Sequence, residues 1–189
     1  MGDKIFKAEI MNVTLTNVGF VVLLRCDALN KALPIVIGPS EAQAILFELN
    51  QVKISRPMTH DLMRNLLKRL KAELLRIEIN DLRNDTFYAI LTLLTNNGSV
   101  DMDSRPSDAI ALALRTGADI YVESHVIDKA GIEIVNKDDK HPEDIKTDKG
   151  KEGELKRLNN FLELAVAEER YEDAARFRDQ IKKLKGENN

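Results

Sequence analysis

The chain has 189 residues and a formal net charge of −3, from 31 acidic and 28 basic side chains. It therefore lacks the overall basic balance of proteins that grip a phosphate backbone along their whole surface. The single cysteine, Cys26, excludes a disulfide framework and a thiolate metal centre, and no apolar run is long enough to span a bilayer. The first residues lack the charged-then-apolar pattern of a secretion signal, so the expected location is the cytoplasm, without membrane attachment.

Ile5 to Thr16 and Phe20 to Cys26 are rich in β-branched and apolar residues, with Asn17-Val18-Gly19 between them as a turn signal, which predicts a hairpin. Leu33 to Ile37 reads as a third strand, after which Gly38-Pro39 opens a helix reaching about Asn50. Arg56-Pro57 opens a second helix ending near Lys71. Ile77 and Ile79 alternate with polar neighbours, and a β pattern resumes from Phe87 to Thr95 across Asn84-Asp85. Asn96-Asn97-Gly98 suits a turn, because Asn and Gly tolerate positive φ. The strand after it carries Asp101 and Asp103, Pro106 begins a third helix closed by Gly117, and Ile120-Tyr121-Val122 adds a strand. Hairpins outnumber regular crossovers, so the expected class is α+β, a mixed sheet with three main helices. The similar openings at Pro39 and Pro106, each following a strand, suggest a duplicated strand–helix unit.

From residue 136 to residue 153 nearly every position is charged, polar, Pro or Gly, the composition of a linker that cannot offset the entropy of ordering it. The body is thus expected over 1–135 and a second element over 154–186. In that element Leu155, Leu158, Leu162, Ala165 and Val166 trace one helical stripe, and Ala174, Ala175, Arg178, Ile181 and Leu184 trace another after a break near Glu169-Arg170. Two short antiparallel helices follow from this pattern. So small a unit normally needs a partner.

Three helix beginnings share one chemistry. Ser55-Arg56-Pro57-Met58-Thr59-His60-Asp61 and Ser104-Arg105-Pro106-Ser107-Asp108 each place an arginine before a proline and a carboxylate soon after it, and Gly38-Pro39-Ser40-Glu41 is a weaker copy. One reading is capping: proline suits the first helical position, and an acid there complements the helix dipole. The other is an anion site, since free N–H groups at a helix start and flanking guanidinium groups both suit phosphate. Both readings stand on sequence alone.

Asp101 and Asp103, two apart in a strand, leave the same face, and Asp108 follows at a helix start; three such carboxylates would suit Mg2+ or Mn2+, or else be solvated turn acids. His60 and Asp61 are consecutive in a helix and point about 100° apart, so each needs a partner elsewhere. An imidazole carries protons near neutral pH, and it equally serves as a hydrogen-bonded structural group. On the second helix Arg64, Lys68 and Lys71 share a face opposite Leu62, Leu66 and Leu70; that basic face is either a nucleic-acid contact or an ordinary solvated surface. No Gly-rich phosphate loop, paired CxxC or serine elbow is present.

Several separate blocks together resemble the bifunctional nuclease domain family: Leu33-Pro34-Ile35-Val36-Ile37-Gly38, Glu41-Ala42, Arg56-Pro57-Met58-Thr59-His60-Asp61-Leu62, Thr86-Phe87-Tyr88-Ala89, and Asp103-Ser104-Arg105-Pro106-Ser107-Asp108-Ala109-Ile110-Ala111-Leu112-Ala113. They occur in the family's order across about the first 130 residues. The resemblance implies a nuclease acting on DNA, RNA or both. With it, His60, Asp61 and Glu41 become candidate catalytic groups, Arg56, Arg105, Arg64, Lys68 and Lys71 candidate phosphate contacts, and Asp101, Asp103 and Asp108 candidate ligands of a divalent cation.

The C-terminal element resembles the UVR motif of bacterial excision-repair subunits, through Leu162, Ala165, Val166, Ala167, Tyr171, Glu172, Ala174, Ala175, Arg178, Asp179 and Ile181. Of these, Leu162, Tyr171, Ala174, Ala175, Arg178 and Ile181 are the expected protein contacts, to the same motif in a second chain or in another protein. A bacterial, homo-oligomeric nuclease is one expectation. The other is a non-catalytic adaptor that recruits repair or proteolysis machinery through the hairpin.

Overall fold

The computed structural model describes residues 4–16 and 19–134, and in the C-terminal segment residues 155, 158–159, 161–162, 165–166 and 171–185. The chain divides into two compact units, Met1–Ile134 and Val135–Asn189. The expected linker over 136–153 and the break near Glu169-Arg170 lie outside the described residues.

In the first unit the elements are β1 (Ile5–Thr16), β2 (Gly19–Cys26), β3 (Lys31–Ile37), α1 (Pro39–Leu49), α2 (Thr59–Arg69), β4 (Glu73–Arg83), β5 (Thr86–Thr95), β6 (Gly98–Ser104), α3 (Pro106–Thr116), β7 (Asp119–Glu123), α4 (Ser124–Ala130) and β8 (Ile132–Glu133). They build one eight-stranded sheet in the order β6-β5-β4-β7-β1-β2-β3-β8. Only β4 and β7 pair in parallel; every other neighbouring pair is antiparallel. The α+β class and mixed sheet are as expected.

The turns follow local chemistry. Asn84 and Asp85 take positive φ, 47° and 59°, and close the two-residue β4–β5 hairpin in the backbone twist that such hairpins favour. Gly117, at φ 78°, ends α3 and donates its N–H to the Ala113 carbonyl. Pro39 and Pro106 occupy the first turns of α1 and α3 as expected, whereas α2 starts at Thr59, beyond Pro57. The later start has a physical cause: the Asp61 carboxylate accepts the Met58 N–H at 2.9 Å, so the acid caps the helix from its third position. Helix α4 and strand β8 were not anticipated; His125 stands in α4.

Helix α3 is the centre of the helical layer. Ala109, Ile110, Ala111, Leu112 and Ala113 are all buried, and both α1 and α2 pack on it. Alanines on the facing helices, Ala42 and Ala44 with Ala109 and Ala113, are buried in the common core and leave little bulk to hold helices apart. Beneath them Val22, Leu24, Leu33, Ile77, Ile79 and Val122 are sealed from solvent, each burial worth about 1.5–3 kcal/mol of transfer free energy. Cys26 is among these core residues, and burial pushes its thiol up to about 11, so it acts as a small inert hydrophobe.

In the second unit α5 (Tyr171–Lys185) buries Ala174, Phe177 and Ile181, while Leu158, Phe161 and Ala165, in helical positions before it, are buried too. The Phe161 and Phe177 rings lie 5.5 Å apart, a tilted aromatic contact across the seam. Of the expected protein contacts, Ala174 and Ile181 are buried, Leu162 and Ala175 are half-buried, and Tyr171 and Arg178 are exposed. Arg178 pairs locally with Asp179 at 3.5 Å.

Candidate active site

Because α1 and α2 both pack on α3, the early residues of three helices are brought within reach of one another. Arg105, immediately before α3, is the connecting group. Its Nη1 donates to Glu41 Oε1 at 2.8 Å and its Nε donates to Asp108 Oδ2 at 2.7 Å. The other Asp108 oxygen, Oδ1, lies 3.1 Å from His60 Nε2. Glu41, Arg105, Asp108 and His60 thus form one continuous polar chain across the starts of α1, α3 and α2.

Burial grades along this chain. His60 is only 8% exposed, Asp108 and Glu41 are half-buried, and the Arg105 side chain is 65% exposed. Burial alone would raise the Asp108 carboxyl, but hydrogen bonds from Arg105 and His60 together reverse that and hold it below the ordinary carboxylate range. An ionised Asp108 can only accept, so the His60 Nε2 carries the proton between them. In the neutral ring Nδ1 is then the basic nitrogen.

Glu41 reaches Arg105 by folding back over its own helix start. A Cβ at Gly38 would collide with the Glu41 carboxylate, so glycine here leaves room for that carboxylate to lie over the helix start. Beside the pair lies a cleft of about 260 Å3. Ile35, Ile37 and Phe87 give it apolar walls, while Glu41, Arg105 and Ser107 supply polar groups. Asp85 of the β4–β5 turn and Thr86, the first residue of β5, border it as well; turn and strand propensity accounts for both, and neither was among the expected site residues.

Asp61 has different work. One oxygen caps α2 through the Met58 N–H, and the other accepts Arg115 Nε at 2.8 Å. Burial raises the Asp61 carboxyl, and the bonds from Met58 and Arg115 more than offset it, leaving it below the usual range. Arg115 is itself buried, donates to the Ala111 carbonyl at 2.9 Å and has Glu48 3.8 Å away. One oxygen of Asp61 is therefore engaged in capping α2 and the other in holding α2 to α3. Arg115 was not singled out in the sequence because a cation in a helix's last turn ordinarily signals only the dipole.

The expected metal triad does not assemble. Asp101 and Asp103 share the exposed β6, where Asp101 accepts the Thr92 hydroxyl at 2.8 Å, whereas Asp108 is held by Arg105 and His60. Among the described residues no group of three or more His, Cys, Asp or Glu side chains is arranged to hold a metal ion.

The remaining expected phosphate contacts stand in and around α2. Arg56 is exposed in the loop before α2, Arg64 is half-buried on α2, and Lys68 and Lys71 are exposed. The apolar side of α2 faces solvent: Leu62, Leu66 and Leu70 are exposed while His60 is buried and Leu67 joins the core. A second histidine–acid group lies elsewhere, with His125 Nε2 3.4 Å from Asp81 Oδ1 and its Nδ1 3.2 Å from Glu123 Oε2.

A buried imidazole bonded to a half-buried carboxylate, and through it to an exposed guanidinium that borders a small cleft, brings together groups able to hold an anion and move a proton. Comparison with known proteins gives this class its family. The bifunctional nuclease domain model matches residues 21–135, followed by the UvrB/uvrC motif over residues 152–187, and the chain belongs to the bifunctional nuclease domain family. An uncharacterized protein of Mycobacterium tuberculosis is 41% identical over 143 residues, covering 76% of this chain and 83% of that protein. Bifunctional nuclease 1 of Oryza sativa subsp. indica is 27% identical, covering 85% of this chain and 53% of its own length. Bifunctional nuclease 2 of Arabidopsis thaliana is 24% identical, covering 87% and 55%. The chain thus spans about half the length of these plant relatives. Among the described residues no helix is long and apolar enough to cross a membrane.

Proposed function

We propose that the body hydrolyses phosphodiester bonds of DNA or RNA at the cleft beside Arg105. The observation that carries this reading is the unbroken chain from Glu41 through Arg105 and Asp108 to His60, contributed by three separate helix starts. Arg105, positioned on one side by two carboxylates, offers its outer N–H groups to a phosphate, and the start of α3 adds backbone N–H groups. Asp108 orients the His60 ring, and Nδ1 of that ring accepts the proton of the attacking water as the phosphorus–oxygen bond to the leaving group breaks. No step is assigned to a metal ion. The UVR-type hairpin supplies a protein-interaction element, engaging a like hairpin in another chain.

The adaptor reading also has an observation behind it. Arg105 and Arg115 both end in carboxylates, so each ion pair serves equally as a staple between helices. The discriminating experiment incubates the purified full chain with labelled single- and double-stranded DNA and RNA, with Mg2+, with Mn2+ and with chelator. Cleavage by the wild type that is lost in His60→Ala and Arg105→Ala supports the nuclease site. A wild type inert on every substrate leaves the adaptor, and cleavage retained in both variants moves the site elsewhere.

A further inference from the structure

The cleft beside Arg105 is walled by strands that do not adjoin. Ile35 and Ile37 come from β3 and Phe87 from β5, which stand five places apart in the sheet order β5-β4-β7-β1-β2-β3. Laid flat, strands so placed would be about 24 Å apart. Both nevertheless border one cleft of about 260 Å3, so the sheet curls and gathers these apolar side chains around a single space. Phe87 is half-buried, packed against the core on one side and bordering the cleft on another.

Size and charge limit what fits there. The volume lies just below the range of about 300–1,000 Å3 usual for drug-sized ligands, which leaves room for one planar ring system and not for a base pair. Among the residues that line the cleft Arg105 is the sole cation, while Glu41 and Asp85 are acids. One guanidinium suits one phosphate. The two carboxylates would repel a second phosphate, and they can accept the amino and hydroxyl hydrogens of a nucleoside. A duplex fails on both counts. It carries a charge for about every 1.7 Å of its axis, and stacking hides the faces of its bases, so the apolar walls would meet only phosphates and base edges.

We propose that the cleft takes one unpaired nucleotide, its base against Phe87 and the isoleucines and its phosphate on Arg105, so that the substrate is a single strand or an unpaired nucleotide within a duplex. This rests on the nuclease reading above for nucleic acid as the ligand, and it adds the form that the nucleic acid takes. Stacking on an aromatic ring is indifferent to sequence, because every base has a π face. It requires only that the base has left its own stack, which costs least where the nucleotide has no pairing partner.

Fluorescence anisotropy of the full chain with short labelled strands, carrying phosphorothioate linkages to slow cleavage, tests this beside cleavage of the natural strands. The expected result is that a single strand and a duplex with one bulged nucleotide bind about tenfold or more tighter than the blunt duplex. Phe87→Leu, which keeps an apolar side chain but no ring, should lose about fivefold or more on the single strand, and Phe87→Tyr should keep the affinity. A blunt duplex bound or cleaved as well as the single strand overturns the proposal. So does Phe87→Leu binding like the wild type at an unchanged Tm, or a nucleoside monophosphate bound more tightly than the strand. If circular dichroism shows Phe87→Leu misfolded, the comparison of single strand, bulge and blunt duplex decides by itself. Selective binding without any cleavage would sink hydrolysis alone and leave this inference standing, whereas no binding to any strand overturns it.

Discussion

His60 and Asp108 stand 48 positions apart in the chain, yet their Nε2 and Oδ1 atoms meet at 3.1 Å between the first turns of α2 and α3. If this pair handles the proton in hydrolysis, His60→Ala and Asp108→Asn should each lower the turnover number by roughly 100-fold or more. The double variant should fall little further, because the two act as one unit. Single-turnover cleavage by all three proteins checks this, and fully additive losses would argue against a coupled pair.

Arg105 and Arg115 should separate function from stability. Arg105 is largely exposed, so its ion pairs contribute about 0–1 kcal/mol to folding, and Arg105→Ala should weaken substrate binding with little change in Tm. Arg115 is buried against Asp61, and removing one partner of a buried pair costs about 3–5 kcal/mol. Arg115→Ala should therefore melt far earlier. Urea titrations beside nucleic-acid binding would expose the contrast.

Acid stability should depend on Asp61 and Asp108. Both carboxyls are held below the ordinary value of 3.8 in the folded chain, so the unfolded chain binds more protons in that range. Their contribution is complete above the unfolded value and is lost as pH falls through the folded one. Unfolding free energy should thus decline on acidification below about pH 5, in the manner of a carboxylate with a depressed pKa. Asp61→Asn and Asp108→Asn should each be less stable at neutral pH and show a shallower decline, measured by denaturant unfolding at several pH values.

Gly38→Ala tests the reach of Glu41. The added methyl would occupy the space of the Glu41 carboxylate, displacing it from Arg105. The expected effect is a rise in KM with the fold retained, comparable to Glu41→Gln. An unchanged KM would mean that Glu41 does not position the arginine.

The sequence alone determined the class of fold, the helices opened by Pro39 and Pro106, and most of the strands, because these follow from short-range periodicity and turn chemistry. It also marked Glu41, His60, Arg105 and Asp108 as the chemically notable groups at helix starts. Only the tertiary structure decided which of them meet. Asp61 and His60, neighbours in sequence, diverge to different partners on α3, since consecutive helical side chains point in different directions. Asp101 and Asp103 stay together on β6 but apart from the Asp108 pairing, and the leucines of α2 face outward against their own periodicity. In each case the deciding factor was a contact between residues distant in the chain, whose energy outweighs a local preference but leaves no trace in local pattern.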